Sequence, residues 1–354
     1  MPRRRPFAVL TFLLAAPVLA QQPTLQPAVA AIEAFMAEHR VPGLSCAITI
    51  GGRSYLERGF GLADVENDVP ATPQTVYRLA SISKPITAVL AMQLAERGEL
   101  DLDADVHRLV PAWPQQPWPV TTRQLLAHLG GVRHYRGEAE STLPYATQTA
   151  ALGRFAGDPL VHEPGTKHLY STYGFNLVAA VVEARAGAPF ARLVQQRIAG
   201  PCAAPTLQAD DSRRLIRGRA QGYVLVDGEL QNSALMDSSY KLGGGGLCAS
   251  APDLLRFALA LQDGRLVRAE TLAAMWSPQQ TRAGEVLDYG LGFGLGRHAG
   301  RREVSHSGAQ ARVSTLLYLL PDQGIVVVLL CNLERVRLLP LARRLGEIVL
   351  EGKQ

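Results

Sequence analysis

The order of apolar and polar positions divides the chain into two kinds of segment. From Ala28 to Arg40, the residues Ile32, Phe35, Met36 and His39 recur at i, i+3, i+4 and i+7, which predicts a helix with one buried stripe, and Pro42-Gly43 ends it. Leu44 to Ile50 predicts a strand, Gly51-Gly52 a tight turn and Arg53 to Phe60 the returning strand of a hairpin. Near the other end, Tyr289, Leu291, Phe293 and Leu295 alternate with Gly290, Gly292, Gly294 and Gly296. That alternation predicts a strand whose second face is bare backbone, open to close approach by another element. Val313 to Leu320, the turn Pro321-Asp322-Gln323-Gly324 and Ile325 to Cys331 predict a second, strongly apolar hairpin, and Glu334 to Leu350 a closing helix. Between these ends, over about 81–280, the pattern is mainly helices and long loops. Ile86, Val89, Leu90, Gln93 and Leu94 mark one amphipathic helix; Arg123 to Leu129, Gly174 to Arg185 and Pro252 to Leu261 mark others, the last with Ser250-x-x-Asp253 as a capping-box-like start. The expected fold is therefore α+β: an antiparallel sheet built from both chain ends and flanked by the terminal helices. A mainly helical region is inserted between its halves, with a cleft where the two parts meet.

Composition narrows the function classes. A chain of 354 residues with 47% apolar and 19% charged residues has ample material for a core and is not disordered. The formal charge is +5, but Arg3, Arg4 and Arg5 supply three of those charges, so the remainder carries only 5 − 3 = +2. A balance that small and dispersed excludes a polyanion-binding surface, and no nucleic-acid partner is expected. The three arginines precede the apolar run Phe7 to Ala20, which ends in Val18-Leu19-Ala20 before Gln21-Gln22. A basic start, a short apolar stretch and small residues before a polar break predict a secretory signal peptide over 1–20. The protein is expected to be exported, periplasmic or secreted, with no stable membrane span after cleavage, and with residues 21–354 forming a single interrupted domain. Cys46, Cys202, Cys248 and Cys331 lie far apart without C-x-x-C spacing. They read equally well as disulfide partners in an oxidising compartment or as thiols buried in apolar segments.

Several familiar catalytic patterns are missing. His162-Glu163 is followed by Pro164-Gly165-Thr166 rather than a zinc-binding H-E-x-x-H, and no serine sits in G-x-S-x-G. Gly244, Gly246 and Ala249 mimic a dinucleotide loop, but no apolar strand precedes them, so close packing is the better reading of these glycines. No metal or cofactor is expected. What remains is S-x-x-K, which occurs at Ser81-Lys84 and at Ser238-Lys241. On a helix, residues at i and i+3 share a face, so the lysine amine can reach the serine hydroxyl. Ser81-Lys84 opens the predicted helix that ends near Gly98, with Pro85 in the first turn. Ser238-Lys241 runs into four glycines and reads as a coincidence. A serine hydroxyl needs a base, and lysine serves only where burial or a neighbouring cation favours its neutral form. Taken alone, the same letters would equally describe a helix-capping serine beside a solvated lysine.

Five ordered segments decide between these. SISKPITAVLAMQLAERGELDLDADV, VTTRQLLAHLGGVRHY, YSTYGFNLVAAVVEARAG, GGGLCASAPDLLRF and SHSGAQARVSTLLYLLPDQGIVVVL together resemble the serine beta-lactamase-related family, especially its mitochondrial serine beta-lactamase-like branch. That family also holds class C beta-lactamases, D-Ala-D-Ala carboxypeptidases and esterases, and the resemblance implies the beta-lactamase or penicillin-binding transpeptidase-like fold. It also implies roles. Ser81 matches the acyl-forming nucleophile, Lys84 its partner, and Tyr170 of Tyr170-Ser171-Thr172 the tyrosine that works with the lysine as general base and acid. His306-Ser307-Gly308 matches the K-T-G strand motif, and the backbone N–H groups of Ser81 and Ala309 the oxyanion hole. Thr172 replaces an asparagine that contacts the substrate amide, and His306 a lysine that attracts the substrate carboxylate; both changes weaken the beta-lactamase and D-Ala-D-Ala readings. His128 and His134 read as structural.

The expected function is thus an exported serine hydrolase working through an acyl-enzyme on a small-molecule or peptide substrate, peptidase or amidase first and esterase close behind. A true beta-lactamase or carboxypeptidase is one alternative, and a catalytically silent scaffold on the same fold is the other. The loops from Gly131 to Gly165 and Arg213 to Leu242 are expected to shape the pocket.

Overall fold

The computed structural model describes residues 25–137 and 141–352, so the expected signal peptide lies outside the described residues. Seven strands form one antiparallel sheet in the spatial order Val69–Pro70, Arg53–Asp64, Gly43–Ile50, Ile325–Cys331, Val313–Leu320, Arg301–Gln310 and Gly294–His298. The two chain ends meet at its centre, where Leu44 lies opposite Cys331 and Ile50 opposite Ile325. These central strands are almost continuously apolar because both faces of the sheet are covered. Leu44, Cys46, Ile48, Val327 and Leu329 pack with Ile32 and Leu345 of the terminal helices Gln26–His39 and Leu339–Glu351. Ala47, Val326, Val328 and Leu317 face the other way, into the core shared with the helical region. The α+β arrangement expected from the two chain ends is the one observed.

Local departures have identifiable causes. Tyr289 to Phe293 is not strand; the edge strand begins at Gly294. Gly292 has φ +85° and lies so near the helix Ser83–Glu96 that a Cβ there would stand 2.6 Å from the Ala88 Cβ. The glycine alternation therefore records close approach of an irregular segment rather than pleating. The closing helix starts at Leu339, not Glu334, because the Glu334 carboxylate accepts the Arg312 N–H at 3.0 Å and Arg335 takes φ 62°. Asp253 does not complete a capping box with Ser250. It accepts instead from the Thr206 N–H (2.6 Å) and hydroxyl (2.5 Å), tying that loop to the helix Ala251–Gln262.

The helix Ser83–Glu96 is buried on every side from Ser83 to Leu94, rather than amphipathic as its spacing predicts. It runs through the middle of the molecule beside the equally buried helix Thr172–Ala186. Gln93, buried in this helix, donates its Nε2 to Leu266 O at 2.9 Å. All four cysteines are buried and free, so the thiol reading holds and the disulfide reading does not. Burial pushes the Cys46 thiol up to about 12.

Candidate active site

Val76–Arg78 leads into a turn in which Ala80, a residue with a Cβ, takes φ 47°. Such a conformation costs on the order of 1–3 kcal/mol and persists only where neighbours impose it. Thr315 Oγ1 donates to Leu79 O at 2.9 Å, and the Ser83 hydroxyl accepts the Leu247 N–H at 3.1 Å. Gly308, on the strand Arg301–Gln310, passes so close that a Cβ would lie 2.4 Å from Leu79 O. Clamped in this way, the single 3-10 turn Ala80–Ile82 presents Ser81 to a cavity of about 370 Å3, lined also by Tyr170, Thr172, Lys241, Ser307, Ala309 and Gln310.

One turn further on, Lys84 is completely buried. Its Nζ lies 2.9 Å from Ser81 Oγ, 3.2 Å from Thr172 Oγ1 and 2.7 Å from Gly244 O. None of these partners is a carboxylate, so nothing there compensates an ammonium. Desolvation first, and then the positive charge of Lys241, hold the Lys84 amine well below its ordinary value. A neutral amine has two N–H donors and one lone pair. Gly244 O can only accept; with a second donation to Thr172 Oγ1, the lone pair is left for the Ser81 O–H. A neutral Lys84 Nζ is thus placed to accept the Ser81 O–H. Across the cavity, burial pushes the Tyr170 phenol up to about 12 despite the opposing Ser81 hydroxyl, so it carries its proton at neutral pH. Lys84 Nζ also stands 4.8 Å from the centre of the Tyr170 ring.

The segment carrying Tyr170 is held from behind by histidines. The Ser171 N–H donates to His128 Nδ1 and the Thr172 N–H to His134 Nδ1, each at 3.1 Å. Ser171 then caps the helix Thr172–Ala186 by accepting the Gly174 N–H at 2.9 Å. Both histidines thus brace backbone, as a structural role requires, although His134 also lines the cavity. His306 lies behind Tyr170 with both ring nitrogens engaged. Nδ1 faces Ser307 O at 2.8 Å and must carry the proton, so Nε2 accepts from the Tyr289 hydroxyl at 3.0 Å. Desolvation, with Lys84 adding to it, pushes the His306 imidazole down to about 3. Of the expected substrate-binding residues, Thr172, Ser307 and Ala309 reach the cavity, while Gly308 serves the turn and His306 is occupied internally.

His128, like His306, is held well below its ordinary value by burial, with Lys84 and neighbouring imidazoles adding to it. Above the unfolded-state value near 6.5 both are neutral in either state and cost nothing. As pH falls below it, only the unfolded chain takes up these protons, and stability drops by about 1.4 kcal/mol per pH unit per histidine. Urea denaturation at a series of pH values is expected to show this loss beginning near pH 6.5, with a shallower slope in His306→Gln.

The glycines after Lys241 argue against a helix there, yet Leu242–Gly245 forms a helical turn. The glycines are there for approach: a Cβ on Gly243 would lie 2.5 Å from Ala179 Cβ, and one on Gly244 2.5 Å from Thr172 Cγ2. That contact lets Gly243 O accept from Thr87 Oγ1 (2.8 Å) and delivers Gly244 O to Lys84. Tyr289, which donates to His306, and Gln310, which lines the cavity, carry no role in the sequence patterns.

An antiparallel sheet joining both chain ends, with Ser-x-x-Lys on a buried helix beneath its edge, is the architecture of serine hydrolases of the beta-lactamase and penicillin-binding type. The chain belongs to the beta-lactamase family, which it matches over residues 28–349. It is 28% identical to the serine beta-lactamase-like protein LACTB, mitochondrial, of Homo sapiens, over 84% of this chain and 74% of that protein. Penicillin-binding protein 4* of Bacillus subtilis (strain 168) is 29% identical over 80% of this chain and 66% of its own length. Among solved structures, the octameric penicillin-binding protein homologue from Pyrococcus abyssi superposes with a TM-score of 0.80 at 26% identity, covering 93% of this chain and 77% of that one.

Proposed function

We propose that the protein is an exported hydrolase that forms an acyl-enzyme on Ser81, acting on peptide or amide bonds in preference to esters. The observation that carries this reading is the buried Lys84 amine, 2.9 Å from Ser81 Oγ and without an acidic partner among the described residues. In the proposed reaction Lys84 takes the Ser81 proton as Oγ attacks the acyl carbon. The backbone N–H groups of Ser81 and Ala309 receive the oxyanion. Tyr170, whose phenol is protonated, gives its proton to the leaving amine or alcohol and is reprotonated from Lys84. Water then releases the acyl group by the same route in reverse. Export rests on the leader over 1–20, and N-terminal sequencing of the mature protein beginning near Gln21 checks it.

A fluorophosphonate probe is expected to modify the folded protein at one site, with peptide mapping placing the adduct on Ser81. Modification of another residue, or only sparse labelling of folded protein, would overturn the assignment and favour a silent scaffold. The beta-lactamase alternative lacks its usual support here, because His306 is neutral and tied to Tyr289. Absence of nitrocefin turnover is the matching result.

A further inference from the structure

We propose that Lys241 and Gln310 form an anion-binding subsite beside Ser81, so that this hydrolase selects acyl substrates carrying a free carboxylate. The proposal rests on the Ser81 reading above and adds the substrate class. Among the described residues lining the cavity, Lys241 is the lysine or arginine and no carboxylate is present. Lys241 is only 2% exposed, and its Nζ lies 5.4 Å and 5.6 Å from the ring centres of Tyr240 and Tyr135. Aromatic faces attract a cation placed at this distance. Its stem runs past Gly245, where a Cβ would stand 3.6 Å from Lys241 Cδ, 3.4 Å from Gln310 Oε1 and 3.7 Å from the carbonyl carbon of Ala80. One glycine is therefore surrounded by the cation, the amide and the residue that precedes the nucleophile.

Gln310 supplies the second, independent observation. Its Nε2 is buried without a hydrogen-bond partner among the described residues, although the side chain lines the cavity. A buried donor left unsatisfied costs about 1–3 kcal/mol, a cost that an arriving acceptor removes. A carboxylate offers two such oxygens, one for the amide and one for the ammonium, and a charge-assisted bond in a cavity of low polarity is stronger than in water. The strand position that might otherwise supply a cation is taken by His306, which is neutral and already paired. A substrate anion therefore has this subsite to turn to, next to the attacking hydroxyl. A neutral carbonyl can meet the Gln310 donor but leaves the ammonium without a counter-charge.

The test compares mono-4-nitrophenyl glutarate, whose acyl chain ends in a carboxylate, with its methyl ester. The protein is expected to prefer the free acid at least tenfold in kcat/KM, mainly through KM. Lys241→Met should erase that preference, Lys241→Arg should retain most of it, and Gln310→Leu should reduce it several-fold. Using the ratio cancels any effect of Lys241 on Lys84, which acts on both esters alike. An unchanged ratio in Lys241→Met, or a preference for the methyl ester in the unmodified protein, overturns the proposal. A second arm does not depend on turnover: in Ser81→Ala, N-acetylglycine should bind and N-acetylglycinamide should not, by NMR titration, and adding Lys241→Met should abolish the difference. Turnover surviving in Ser81→Ala would instead indict the nucleophile while leaving this binding arm intact.

Discussion

Replacing Ser81 by alanine is expected to lower kcat for an activated ester such as 4-nitrophenyl acetate by about 10^4-fold or more, to the level of incidental surface catalysis. The variant should fold normally. Ser81 is half-buried, its hydroxyl hydrogen-bonds Lys84, and the strained turn at Ala80 is held by Thr315, Ser83 and Gly308 rather than by Ser81 itself. Equal thermal stability with abolished turnover is the informative combination. A variant that keeps its rate would mean that the nucleophile lies elsewhere, and one that unfolds would contradict the clamping contacts.

Lys84→Met is expected to cost about 10^3-fold or more in kcat, because the positioned base is lost while Ser81 and the oxyanion donors stay in place. The effect on stability should run the other way, or be absent. A lysine held below its ordinary value destabilises the fold between its folded and unfolded values, since only the unfolded chain binds the proton there, so stability rises with pH across that window. Methionine removes the amine altogether. It also gives up the Nζ contacts to Gly244 O, Thr172 Oγ1 and Ser81 Oγ, which work against that relief. Tm at pH 7 is expected to change little. In the unmodified enzyme kcat/KM should decline as pH drops through the Lys84 value, because the base must be neutral to act. Removing the Lys241 charge raises that value and moves the acid limb to higher pH. A rate that increases on acidification would exclude Lys84 as the base.

Periodicity located the terminal helix Gln26–His39, the strands on either side of Gly51-Gly52 and the hairpin from Val313 to Cys331, all of which are local patterns. It failed where packing overrode the pattern. The apolar stripe of Ser83–Glu96 belongs to a helix buried on all sides; Gly292 marks close approach to that helix and Gly290 to Met275, and the strand begins only at Gly294. Ser81, Lys84 and Tyr170, which the fold brings together at the cavity, were legible as candidates because family motifs carry them. His128 and His134 were legible as structural, but the Ser171 and Thr172 N–H groups they hold were not, since no short spacing in sequence encodes a contact across roughly 40 residues.

Chain order and local chemistry indicate an α+β chain with a Ser-x-x-Lys pair at a helix start, while the tyrosine segment and the strand motif with histidine in the basic position are what the resemblance to the family adds. The tertiary structure decided what those groups are. Whether Lys84 is an ammonium or an amine depends on how much water reaches it and which charges stand near, and those are set by elements distant in sequence: the glycine turn at 242–245, the helix from Thr172 and the side chain of Lys241. The same holds for Lys241, an ordinary lysine before four glycines until the fold brings it to the cavity that holds Ser81. Protonation state is a property of an environment, and an environment exists only once distant segments have packed.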